Sequence, residues 1–255
     1  MQTIIVSLMW PAGDAPAPVM ELSPWLEAKF NDLDEVLARL AAQQHRRVIK
    51  SHTPADGIPM FDDARYVYVG RDGRDAFMSF VNHHEKFKGD VRRTMNRHAL
   101  ADGVPPMPDW DGDLHRFFTT WLEDALLLHH LTTFWSRRAM PNLLFIHYSD
   151  LQRDLESEMR RVAAFLEINI PPVMWPAVVE RCTFEAMKAR PAEIGAFRNF
   201  EGGAESFLFK GTNGRWRDVL RPDEVAAYER RAGQLLTPEA LAWLEFGCSG
   251  IAADP

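Results

Sequence analysis

Residues 64–87, ARYVYVGRDGRDAFMSFVNHHEKF, change hydrophobic period midway, and a charged turn stands at the change. Tyr66, Val67, Tyr68 and Val69 form a short β-branched and aromatic run, the pattern of a strand buried on both faces. Phe77, Phe80, Val81 and His84 then recur at i, i+3, i+4 and i+7, one face of a helix that Asp72 or Asp75 can cap. The unit predicted is strand, turn, helix. An arginine at the carboxyl end of such a strand, near the free N–H groups and positive dipole end of the next helix, makes a site for phosphate or sulfate. Arg71 and Ser79 are the candidate donors. The alternative on this stretch is that Arg71, Asp72, Arg74 and Asp75 form a solvated turn and pair among themselves.

Working outward, residues 47–50 look like another strand, ending in Lys50, Ser51 and His52, and residues 143–148 like a third, with Leu155, Met159, Val162 and Leu166 marking the helix after it. Strands alternating with helices predict an α/β fold with a parallel sheet. Lys50 with His52, Arg71, and Tyr148 then stand at strand ends, where parallel sheets bind ligands, and are expected to converge on one site. Residues 31–44 read as a helix with Val36, Leu37 and Leu40 inward, and 114–128 as a core helix with a wide apolar stripe. Residues 10–25, rich in proline, and 88–113, polar with Gly103, Pro105, Pro106, Pro108 and Gly112, are expected to be irregular. Ile4, Ile5, Leu8 and Met9 share a helical face near the start. In EGGAESFLFKGTNGRWR, residues 201–217, Gly211 and Gly214 can turn backbone N–H groups toward an anion while Lys210, Arg215 and Arg217 supply charge. Pro222 opens a helix, and residues 238–246 make another.

At 255 residues, with 46% hydrophobic and 25% charged residues, the chain has ordinary globular composition and is expected to be one domain over 1–255. A net charge of −7 argues against nucleic acid as a partner, so any anion site is a local concentration of Arg and Lys. Cys182 and Cys248 lack CxxC spacing, which predicts free thiols in a reducing compartment, the cytoplasm. No run is long enough to span a bilayer, so no membrane association is expected. The adjacent pairs His83 and His84, and His129 and His130, point about 100° apart on a helix and lack the i, i+4 spacing of a metal site, so no metal is expected.

These segments together resemble the soluble, cytosolic sulfotransferases that use 3′-phosphoadenosine 5′-phosphosulfate as sulfuryl donor. The resemblance implies a three-layer P-loop-like α/β fold around a central parallel sheet. VIKSHTP resembles the family's lysine, any residue, histidine strand end, which gives Lys50 the sulfuryl contact and His52 the role of catalytic base. YVYVGRDGRDAFMSF is similar to its 3′-phosphate motif, with Arg71 and Ser79 at the family's spacing of eight. LLFIHYSDLQRDLESEMRRVAAFLEI places Tyr148 toward the adenine side, and CTFEAMKAR places Cys182, Thr183, Phe184 and Met187 near the base. FLFKGTNGRW resembles the signature whose lysine and glycine, here Lys210 and Gly211, meet the 3′-phosphate.

Two departures stand out. Phe209 occupies the place of an arginine found in animal members, so one 3′-phosphate contact is either lost or supplied by Arg215 or Arg217. The family's phosphosulfate loop does not appear between a first strand and the helix at residues 1–10, so the chain is expected to be incomplete at its N-terminal side, without that strand and loop. The activity implied is sulfuryl transfer to a hydroxyl or amine of a small-molecule acceptor, a phenol, alcohol or amine. A general base takes the acceptor proton, and a histidine suits that task near neutral pH. The alternatives are a non-catalytic, inactive nucleotide-binding relative and a different P-loop-like transferase. The dimer motif of some members is not recognisable in RDVLRPDE, which leaves the oligomeric state open.

Overall fold

The computed structural model describes residues 1–28, 31–103, 106, 110–195 and 197–251. The chain divides into two compact units, each assembled from separate stretches. The first comprises Met1–His52, Asn82–Asp111 and Ile168–Gly211, and the second Thr53–Val81, Gly112–Glu167 and Thr212–Pro255.

The second unit contains the parallel pair. Strand β1, Tyr66–Gly70, and strand β2, Leu143–His147, run side by side in the register Tyr66 to Leu143 through Gly70 to His147. Two parallel strands need a long crossover, and helices Leu114–Asp124 and Leu126–Trp135 lie within it. Tyr68 anchors the core, its ring 4.9 Å from Phe145, 5.1 Å from Phe134 and 5.8 Å from Trp243. Gly70 ends β1 because no side chain fits there: a Cβ would lie 2.3 Å from the Trp243 ring.

The strand, turn, helix reading of 64–87 holds, since β1 leads into the helix Gly73–Lys86. Asp72 caps that helix, its carboxylate accepting the Arg74 N–H at 2.8 Å. The strand is not buried on both faces, however: Val69 is 44% exposed, because the pleat alternates and Tyr68 and Gly70 take the inner face.

Other expectations need correction. Residues 47–49 form no strand; Lys50 alone makes an isolated parallel bridge, to Trp25. The RVIK run has strand propensity but finds only that one partner position, and propensity yields to context. Residues 88–113 are not irregular throughout, because Gly89–Ala101 is a helix. Its composition, with Arg92, Arg93, Asn96, Arg97 and His98, hides the helical period. Pro105 and Pro108 lie outside the described residues. The stripe expected over 114–128 is interrupted at Ala125, whose φ of 48° separates two helices.

In the first unit, Gln2–Met9 is a helix buried on more than one face, with Ile4, Ile5, Val6, Ser7 and Leu8 all enclosed. Helix Leu33–Ala42 buries Val36 and Leu40 but leaves Leu37 exposed, and a short helix, Val19–Leu22, interrupts the proline-rich stretch. Pro222–Leu235 and Pro238–Phe246, in the second unit, each start on proline as expected. Among the described residues, no helix is long and apolar enough to cross a membrane.

Candidate active site

The turn after β1 separates its two arginines sharply. Arg74 is enclosed: its guanidinium meets Asp72 at 2.7 Å and Glu245 at 3.0 Å and lies 4.1 Å over the Trp216 ring. Asp72, Arg74 and Asp75 are buried, so this is an internal ion-pair network and not a solvated turn. Arg71 is held differently. Its Nε donates to Asn213 Oδ1 at 3.0 Å, one Nη donates to the Thr212 carbonyl at 2.9 Å, and its plane rests 4.4 Å over the Tyr148 ring. The other Nη has no protein acceptor among the described residues and remains a donor for an anion.

Asn213 is itself fixed, its amide donating to Ser149 Oγ at 3.1 Å and Gln152 Oε1 at 2.8 Å. Next to it the Gly214 N–H donates to Asp75, 2.8 Å from Oδ1. Burial lowers the Arg71 pKa, with Tyr148 and Asp75 pulling back and Arg215 adding to the fall. Burial raises Tyr148 against the opposing pull of Arg71, and raises Asp75 against the Gly214 N–H. A cation short of hydration and crowded by Arg215 gains most from an arriving anion. Arg215 thus stands within electrostatic reach of Arg71, while Arg217 lies over Trp216 at 4.7 Å. Ser79 is half-buried in the helix that Asp72 caps. That cap already satisfies an N–H at the helix start.

In the first unit, Lys50 and His52 share one aromatic platform. The Lys50 ammonium lies 4.7 Å from the Trp25 ring centre and the His52 imidazole 4.4 Å. The Lys50 N–H donates to the Pro24 carbonyl at 2.9 Å, and the Leu26 N–H to the Lys50 carbonyl at 3.1 Å. Burial lowers the Lys50 pKa and Glu27 partly restores it. His52 is exposed, and its backbone N–H donates to the Glu27 carboxylate.

The segment 182–187 is distributed along a tight helix entry. Thr183 caps Phe184–Ala189 by accepting the Ala186 N–H at 3.1 Å. Phe184 lies flush against Gly211: a Cβ there would fall 2.8 Å from the ring, and a φ of 64° also favours glycine. Cys182 is buried, its Sγ 3.9 Å from the Thr3 carbonyl, and burial raises its pKa. Met187 lines a cavity of about 320 Å³ with Trp10, Val19, Arg181 and Ile194. Lys210 is exposed, 5.3 Å over Phe209.

The structure therefore brings together Arg71 with Tyr148, Lys50 with His52 across Trp25, and Phe184 with Gly211. Sequence reasoning did not single out Asn213, Ser149 and Gln152 around Arg71, or Glu27 beside His52. Asn213 lies within the glycine-rich stretch already singled out, whereas Glu27 carries no local signal. Among the expected bystanders, His83 packs edge-on to Phe200 and Phe207, and His130 lies against Tyr68.

Comparison with known proteins gives a consistent result. The sequence model of the sulfotransferase domain matches residues 12–237. A glycolipid sulfotransferase of Mycobacterium bovis is 32% identical over the whole of this chain and 85% of its own length. Sulfotransferase 1 family member D1 of Rattus norvegicus is 23% identical, over 89% of this chain and 74% of its own. Among solved structures, retinol dehydratase in a complex with retinol and PAP superposes with a TM-score of 0.66 at 21% identity, over 91% of this chain and 76% of that one. A mouse sulfotransferase complexed with PAP gives 0.65 at 16%, over 89% and 77%.

Proposed function

The chain belongs to the sulfotransferase domain family, and we propose that it transfers a sulfuryl group from 3′-phosphoadenosine 5′-phosphosulfate to a hydroxyl or amine of a small-molecule acceptor, with His52 as general base. The observation that carries this reading is the Trp25 platform, which holds an ammonium and an imidazole against one ring. His52 takes the acceptor proton while the acceptor heteroatom bonds to sulfur and the bond from sulfur to the leaving phosphate oxygen breaks. Lys50 stabilises charge on the sulfuryl oxygens, a contribution that matters most in the transition state. Its lowered pKa is the mark of an ammonium short of solvent, ready for an anionic partner.

Arg71 fits a phosphate, since it is fixed by Asn213 and Tyr148 with donor capacity to spare. We assign Arg71, Ser79, Lys210 and Gly211 to the 3′-phosphate, and Tyr148, Cys182, Thr183, Phe184 and Met187 to the adenine side. Gly211 supports the assignment because its bare Cα lets backbone lie against Phe184. Among the described residues Cys182 and Cys248 are free, and on that ground we place the chain in the cytoplasm.

The test is to incubate the protein with 3′-phosphoadenosine 5′-phosphosulfate and either a simple phenol or, because similar proteins carry the name, a glycolipid, and to follow sulfated product. Product formation that depends on His52 is expected. Tight binding of 3′,5′-diphosphoadenosine with no product from any hydroxyl or amine would instead favour a non-catalytic nucleotide binder.

A further inference from the structure

The residues around His52 are not secured by a strand ladder, because residues 47–49 are irregular and Lys50 makes a single bridge. A carboxylate meets two of them. Glu27 Oε1 accepts from the Ser51 hydroxyl at 2.7 Å and from the His52 backbone N–H. Glu27 lies two residues beyond Trp25, so the bridge that sets the Trp25 ring also sets the carboxylate. We propose that Glu27 is a positioning residue for His52, clamping Ser51 and the His52 amide so that the imidazole keeps its place against Trp25. The proposal rests on the reading of His52 as the base.

The physical case is one of preorganisation. His52 is exposed, and an exposed side chain on irregular backbone samples many orientations unless its main chain is fixed. Two donors meeting one carboxylate oxygen are charge-assisted bonds, stronger than neutral ones. A misplacement of about 1 Å at a reacting group costs on the order of 100-fold in rate. Glu27 meets the backbone N–H of His52 and the neighbouring Ser51 hydroxyl. Its loss frees the His52 main chain while the imidazole itself remains, and Glu27→Gln, which keeps the acceptor but removes the charge that partly restores the Lys50 pKa, separates that effect from one on Lys50.

The experiment uses Glu27→Ala and Glu27→Gln, alone and combined with His52→Ala, with turnover on a phenol acceptor, 3′,5′-diphosphoadenosine affinity by calorimetry, and melting to confirm folding. Glu27→Ala is expected to lower kcat about 10- to 100-fold while acceptor KM and nucleotide affinity change less than about 3-fold. Glu27→Gln is expected to recover most of kcat, since its amide oxygen accepts the same two donors. In the His52→Ala background, Glu27→Ala is expected to add nothing. Wild-type kcat in Glu27→Ala, or a full additional loss in the double variant, overturns the clamp and leaves the His52 assignment standing. Wild-type turnover in His52→Ala alone overturns that assignment and the clamp with it. If Glu27→Ala does not fold, Ser51→Ala deletes one of the two donors and is expected to cost about 3- to 10-fold in kcat; no change there overturns the clamp.

Discussion

The end of β1 and the stretch at Lys50 look alike in sequence, each a short β-branched run closed by basic or polar residues, yet they are secured in opposite ways. β1 is paired along its full length with β2, and Arg71 beyond it is pinned by Asn213, Thr212 and Tyr148. Lys50 makes an isolated bridge, and His52 beyond it contacts Glu27 and Trp25. A fully paired strand end suits recognition of a fixed anion, because little ordering remains to be done on binding. Beyond the singly bridged end His52 is exposed, open to an acceptor if it is the base proposed above.

The largest expected effect tests the exposed end. His52→Ala is expected to reduce kcat about 100- to 10,000-fold, the range for a lost general base, with nucleotide affinity nearly unchanged. Steady-state turnover beside calorimetry separates the two, and a loss of affinity with normal kcat would make His52 a nucleotide contact and erase the contrast.

Arg71→Ala tests the pinned end. Loss of a charge-assisted contact is expected to weaken 3′,5′-diphosphoadenosine about 10- to 100-fold while sparing an analogue without the 3′-phosphate. Equal weakening of both ligands in titrations would point to a folding defect rather than a phosphate contact.

A finer cut is Asn213→Ala, which leaves the Arg71 charge but removes the acceptor of its Nε and the link to Ser149 and Gln152. Affinity for the diphosphate is expected to fall about 3- to 10-fold, the worth of a fixed hydrogen bond. An unchanged titration would show that Arg71 does not need its frame.

The smallest effect is a pH shift. Burial holds the Lys50 pKa below its ordinary value, and an ammonium is charged only below its pKa, so its charge is lost at a lower pH than that of an exposed lysine. Guanidinium stays charged to much higher pH. In Lys50→Arg the alkaline fall of kcat/KM for the donor is therefore expected to move to higher pH; an unmoved limb would assign that fall to another group.

Local signals made much of this legible. The run 66–69, the turn and the i, i+3, i+4, i+7 face of Phe77, Phe80, Val81 and His84 are neighbours in sequence, and the structure keeps the strand and helix they describe. Phe80, 39% exposed, shows how far a pattern can place a side chain: it shares the face but stacks on Phe117 at the surface. The helix Gly89–Ala101 was invisible because its polar residues mask any stripe.

What the sequence determined by itself were the features that nearby residues settle: the α/β order, the helix starts at Pro222 and Pro238, the charged turn, and the blocks that resemble the sulfotransferases. What only the tertiary structure decided were the partners. Arg71 and Asn213 stand 142 residues apart, and His52 and Glu27 stand 25 apart. Nothing local distinguishes Arg71, left with a donor to spare, from Arg74, enclosed by Asp72, Glu245 and Trp216. The reason is physical: helix and turn preferences act within a few bonds of the chain, whereas hydrogen bonds, ring contacts and desolvation depend on which distant segments folding brings together.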